Sequence, residues 1–241
     1  MKPSLTAITK HLPTVTSVCV GVVPLFVLIH WFGVPRKLIL GWGILSYIIG
    51  VALFKMPLYH LVVVKVLHKK LSNVWLGISQ GIGSAVSELG SALLFFLFVV
   101  PQLSLAELIG FGAAAGAVEA IVLPFMGNPL AGTPLERHSD EVIQRASQKS
   151  SLQWLGVLER GLAFITHFAS RGLIYVSLVA ETIVPALIAI ITFAALDGRA
   201  YYAHLQQWAF DDVHVLGRFY VFFAVVALIQ LSSFLLFYFQ M

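Results

Sequence analysis

LQWLGVLERGLAFITHFASRGLIYVSL, residues 152–178, is long and apolar enough to cross a bilayer, yet it carries Glu159, Arg160 and His167 within it. A spanning helix needs about 20 mostly apolar residues. An ionisable side chain inside one is costly, so it turns towards the protein interior and finds a partner or a task. Two other apolar stretches repeat the pattern, with Glu88 inside 76–100 and Glu119 inside 105–126. This reads as an all-α, polytopic transmembrane helical bundle with a polar centre.

Composition agrees. Of 241 residues, 59% are hydrophobic and 11% charged, and the mean hydropathy is +0.92. Soluble domains carry about 25% charged residues. The pI near 9.3 and net charge of +4 come from basic residues scattered among loops. That pattern sets orientation in a membrane and gives no reason to expect a nucleic-acid partner. Cys19 is the only cysteine, so no disulfide can form within the chain. The first apolar run has no small-residue cleavage site after it and is expected to be a retained span.

Seven spans are expected in a single membrane domain, 1–241: roughly 14–33, 38–66, 76–100, 105–126, 152–178, 181–196 and 215–239. Pro57 predicts a kink in the second. The unbroken apolar run to Leu196 is too long for one helix and is split near Val179–Glu181, with Pro185 in the first turns of the sixth span. A polar loop, Gly127 to Ser151, carries Glu136, Arg137, Asp140, Glu141, Arg145 and Lys149 and reads as a solvated helix or a docking surface. The segment Asp197 to His214, with Tyr201, Tyr202, Trp208 and Phe210, reads as lying along the membrane surface.

Lys2, Lys10, Lys69, Lys70, Arg137, Arg145, Lys149 and Arg199 fall on the N-terminal side, and Arg36, Lys37 and Arg171 on the other. The bias predicts a cytoplasmic N terminus. Trp31, Trp42, Trp75, Trp154 and Trp208 fall near span ends, as an aromatic belt would. Gly77/Gly81 in span three and Gly112/Gly116 in span four are spaced for close backbone approach in lipid, which marks these two spans as an inner pair.

Ser84, Glu88 and Ser91 share one helix face, and Arg160, Phe164, His167 and Arg171 form one stripe. Glu159 lies about 100° round from Arg160 and is expected to face a different neighbour. Asp197 follows span six, one turn after Phe193. Two readings of these polar residues compete. In one, Glu88 and Glu119 face Arg160 and His167 and neutralise them. In the other, a carboxylate and a histidine hold a catalytic metal in a water-filled cleft. Of the remaining histidines, His30, His60 and His68 lie near span ends or the kink, and His138, His204 and His214 fall in loops.

The order of these features resembles the YhfC-type membrane peptidases, distant relatives of the CAAX-processing and PrsW-like intramembrane metalloproteases. The resemblance covers roughly Leu38 to Gly198. Residues 110–120, GFGAAAGAVEA, resemble that family's Gly-His-Gly stretch ending in Glu-Ala, and residues 159–167, ERGLAFITH, resemble its Glu-Arg-to-His stretch. The chain also departs from the family. The family's paired glutamates and following arginine are here Ser87-Glu88 and then Ser91. The histidine expected in span four is Ala115, and the one expected a turn before Asp197 is Phe193. Neither methyl nor phenyl binds zinc.

The resemblance therefore implies a peptidase-like architecture with degenerate metal positions. Such a protein would bind a partner transmembrane helix, a membrane complex or a lipid-like ligand, use no cofactor and keep Glu88, Glu119, Glu159, Arg160, His167 and Asp197 as its polar core. The alternative is an active intramembrane zinc metalloendopeptidase, with Glu88 as general base and Glu119 and His167 as metal ligands. A transporter or channel is a further alternative, weakened by the lack of an inverted repeat. The expected location is integral to a bacterial or archaeal cytoplasmic membrane, in contact with its lipids.

Overall fold

The structure is a computed structural model that describes residues 5–32, 36–67, 70–99, 102–122, 155–210 and 212–241. The polar loop 127–151 lies outside the described residues, as does Trp154. Within the described residues the chain is helical, without strands. The helices are α1 (Leu5–Phe32), α2 (Lys37–Ile48 and its continuation to Val64), α3 (Asn73–Val99), α4 (Leu105–Val122), α5 (Leu155–Val179), α6 (Val184–Leu205) and α7 (Val213–Tyr238). Each coincides with one expected span. Helices α2 to α7 are long and apolar enough to cross a membrane, and α1 contributes the apolar stretch Val18–Val27.

The surface is apolar where a soluble protein would be polar. Phe98 is 83% exposed, and Ile191 and Val221 are each 64% exposed. The interior meanwhile holds Arg171 and Glu88 at 0% and 1%. Only a hydrocarbon surround makes that inversion stable. The protein is an integral membrane helical bundle.

Three expectations are refined or corrected here. First, Pro57 lacks the N–H that would hold its turn, and the interruption expected there takes the form of a change of helix type. α2 passes through π-helical stretches at Ile49–Lys55 and Tyr59–Val64 on either side of Met56–Leu58. Second, the break between spans five and six falls as expected, with Glu181 in the left-handed region (φ 51°) and the Thr182 N–H donating back to Ser177 at 3.1 Å. The sixth helix, however, runs on to Leu205. Asp197, Tyr201 and Tyr202 are therefore helical, and only the part of the supposed surface segment around Trp208 and Phe210 is a connector.

Third, the small-residue faces of α3 and α4 do not face each other. Gly81 packs on α6, where an added Cβ would stand 2.1 Å from the Ala194 carbonyl oxygen, and Gly77 packs on Gly198. Gly112 packs on α5, where a Cβ would stand 2.3 Å from the Phe168 Cα. The pairings Gly77–Gly198 and Gly81–Ala194, and likewise Gly112–Phe168 and Gly116–Phe164, run in opposite directions along their helices. Both pairs are thus antiparallel. Short links between most consecutive helices make the chain cross back and forth, with α1, α3, α5 and α7 leaving from the N-terminal side.

Gly81→Val forces the α3–α6 backbones apart, and overpacking of this kind costs about 1–3 kcal/mol. Thermal unfolding in detergent should show a clear drop for Gly81→Val. It should show little change for Gly41→Val, because an added Cβ at Gly41 meets nothing within 4 Å.

Candidate functional site

The charged side chains of five helices join end to end. Asp197 of α6 and Glu88 of α3 each accept from the Lys55 ammonium of α2, at 2.8 Å and 2.7 Å. The other oxygen of Glu88 accepts from Arg171 Nη2 of α5 at 3.4 Å. Arg171 Nη1 meets His167 Nδ1 at 2.6 Å. His167 Nε2 meets Glu119 Oε2 of α4 at 2.5 Å. Glu119 Oε1 accepts from Arg160 Nη1 at 2.6 Å, and Arg160 Nη2 donates to Glu159 at 2.5 Å. A hydroxyl closes each end: Tyr220 of α7 donates to Glu159 at 3.3 Å, and Ser84 donates to Asp197.

Signs alternate along this row, with Lys55, Arg171 and Arg160 set between Asp197, Glu88, Glu119 and Glu159. Each buried charge thereby gains a partner, which a low-dielectric interior demands. The packing that permits it is close. Gly50, in the π-helical part of α2, lets that backbone lie against α3, where an added Cβ would stand 2.7 Å from Ser91 Oγ. Lys55 ends the same stretch and reaches Glu88 and Asp197 from there. π-helical turns re-aim side chains in this way and recur at functional sites.

A guanidinium only donates. Its contact with His167 Nδ1 therefore needs a lone pair on that nitrogen, which puts the ring proton on Nε2, facing Glu119. The imidazole is also wedged between rings, with Tyr47 centred 5.8 Å away and Phe193 6.1 Å away, both edge-on. One donor atom each from Glu88, Glu119 and His167 lie within 4.8 Å of one another, a spacing that could hold a metal ion. Each of these atoms already has a partner from the row, and a protein cation stands beside each carboxylate.

The row arches from α6 to α5 across the interior, with Asp197 and Glu159 as its feet. At about 1.5 Å per helical residue, Asp197 and Lys55 lie roughly 12 Å inside the ends of their helices on the N-terminal side. Glu88 stands about half-way along α3, with Arg171 beside it. Beyond them the bundle is closed by Leu89, Phe96, Phe111, Leu173 and Ile174. Along the lipid face of α2 and α3, close to Glu88, opens an apolar groove of about 710 Å³ bordered by Leu53, Phe54, Leu58, Ser87, Gly90 and Leu94.

Glu88, Glu119, Glu159, Arg160, His167 and Asp197 all belong to this one network. Their pairing differs from the expected one. Glu119 alone takes both Arg160 and His167, while Glu88 binds Lys55 and Arg171. Glu159 meets a different neighbour, Tyr220 of α7, and also shares Arg160. Asp197 is a rim group, its side chain 31% exposed. Arg171, expected as a loop cation, is fully buried; the stripe Arg160-Phe164-His167-Arg171 carried the signal that it faces inward. Lys55 was not expected at all. Its signal was a lone lysine in an apolar stretch two residues before Pro57.

Comparison with family models, with curated proteins and with solved structures finds no match to this chain.

Glu88→Gln or Arg171→Met alone strands a buried charge, which costs about 3–5 kcal/mol. Together they should recover much of that loss, a coupling readable as a double-mutant cycle in detergent unfolding. Glu159→Gln, at the exposed foot, should cost far less.

Proposed function

We propose that the protein is a non-catalytic membrane binding protein. It has the architecture that the YhfC-type peptidase resemblance implies, and it holds a partner transmembrane helix or a lipid-like ligand without cleaving it. The observation that carries this reading is the state of His167. Nδ1 accepts a hydrogen bond from Arg171 at 2.6 Å and the Nε2 proton faces Glu119 at 2.5 Å, so neither nitrogen of the imidazole has a free lone pair. A catalytic zinc site needs about three protein donors with lone pairs directed at the ion and an open position for water. Here Lys55, Arg160 and Arg171 neutralise the carboxylates that a metal would use. Phe193 presents a phenyl ring to His167, at the position where the resemblance puts a histidine.

The groove beside Glu88 offers hydrocarbon contacts to an occupant that stays in the membrane. Without Lys10, Lys37, Arg171 and Arg199, which the helices contain, the remaining cations still favour the N-terminal side. That supports a cytoplasmic N terminus, in the bacterial or archaeal cytoplasmic membrane that the resemblance implies.

The zinc-hydrolase alternative rests on the Glu88, Glu119 and His167 donors within 4.8 Å of one another. In it Glu88 activates water while Glu119 and His167 hold the metal, and Arg171 withdraws from the histidine. Elemental analysis of the purified protein separates the two. Binding without catalysis predicts far less than one transition-metal ion per chain, unchanged by Glu119→Gln. One ion per chain, lost in that variant, would establish the hydrolase reading instead. Ala115→His with Phe193→His should create zinc affinity, measurable by titration, if the family register holds.

A further inference from the structure

Arg199 lies near the C-terminal end of α6, two residues beyond Asp197 but outside the arch. Its guanidinium carbon stands 5.2 Å from the centre of the Trp208 ring and 4.5 Å from that of Phe222. Two aromatic faces hold the cation without neutralising it. Its Nε is buried and has no hydrogen-bond partner. Arg218, one turn into α7 and exposed, is the second cation here. Among the described residues neither arginine has a carboxylate partner. Asp197 is bound to Lys55, Asp212 caps the Val213–Tyr238 helix, and Asp211 lies outside the described residues.

The two arginines line one pocket of about 450 Å³ with Trp208, Ala209 and Val215. Arg199 also borders a second cleft of about 400 Å³, between α3 and α6, where Val74, Ile78, Ala194 and Ala195 line the wall. One side chain therefore joins a cationic pocket at the end of the helices to a mainly apolar cleft that runs inwards from it. The arch explains neither pocket nor cleft, and the proposed binding role does not use them.

We propose that this is a site for the phosphate of an anionic phospholipid, held by Arg199 and Arg218 with Trp208 at the headgroup level and an acyl chain in the α3–α6 cleft. Basic pockets between spanning helices take lipid headgroups. The planar fork of arginine matches phosphate oxygens two at a time, and tryptophan settles where hydrocarbon meets headgroups. A free phosphate would satisfy the cations but leave the cleft unused.

The test is native mass spectrometry of the full-length protein, with thermal unfolding alongside, in neutral detergent. Phosphatidylglycerol, phosphatidylcholine and inorganic phosphate are titrated separately. Phosphatidylglycerol should be retained and should raise the unfolding temperature. Phosphatidylcholine, which is zwitterionic, should bind at least severalfold more weakly. Arg218→Gln changes an exposed side chain and should leave the fold intact while weakening phosphatidylglycerol about fivefold, the scale of one interfacial cation. Arg199→Gln should do the same, and the double variant should lose the preference. Ile78→Trp, which fills the cleft, should weaken the lipid without affecting inorganic phosphate. Equal binding of the two lipids, or a preference that survives in the double variant, would overturn the proposal. So would stabilisation by inorganic phosphate that matches the lipid's and is abolished by the arginine variants, because the ligand would then be a soluble phosphate.

Discussion

The guanidinium of Arg171 is fully buried at mid-depth in a bundle whose outer face is hydrocarbon. It touches Glu88 on one side and His167 on the other, and much of the interior follows from satisfying it. A carboxylate must come from α3, and a histidine one turn earlier on α5 must present a lone pair. That histidine then directs its remaining proton to Glu119, and Glu119 in turn needs Arg160. The ammonium of Lys55 balances the rest of Glu88 and brings in Asp197. Each link exists because the one before it would otherwise be a buried charge without a partner, a far more costly state than an apolar replacement of the whole pair.

Such a chain of contacts needs backbones close enough for short polar side chains to meet. In lipid, apolar surfaces gain little from meeting each other, so packing and small residues supply the attraction. Gly81 against Ala194 and Gly112 against Phe168 bring α3 to α6 and α4 to α5. Gly50 lets the π-helical part of α2 lie against α3, which carries Lys55 to the centre. The glycines and the charges are thus one design: the close approach makes the ion pairs, and the ion pairs fix the helix register.

The polar arch and the cationic pocket use charge in opposite ways. In the arch, acids and bases answer one another, and the imidazole of His167 is held by Arg171 and Glu119. Arg199 is supported by the rings of Trp208 and Phe222, and the exposed Arg218 shares its pocket. A charge answered within the protein supports the fold, while the proposed lipid site rests on two arginines that no carboxylate among the described residues answers.

Local chemistry settled the helical elements. Hydropathy alone marks the spans, because a helix in hydrocarbon must satisfy its own backbone and coat itself with apolar side chains. The break at Glu181 was legible from length and the following proline. That Glu88, Glu119, Arg160 and His167 face inward was legible too, since no lipid-facing position tolerates them. The partners were not. Whether Glu88 meets Arg160 or Arg171, whether Glu159 shares a neighbour's arginine, and whether Lys55 reaches α3 depend on rotation and distance between helices far apart in sequence. Arg171 was misread as a loop cation because window hydropathy cannot tell a charge near a span's end from one held inside by a carboxylate on another helix. The end of α6 was misplaced for the same reason: Asp197 reads as a terminator until Lys55 and Ser84 stand beside it. Span by span, the sequence determines what must avoid water; only the packed bundle decides which charge answers which, because that is a matter of a few ångströms between chains of side chains that the linear order does not encode.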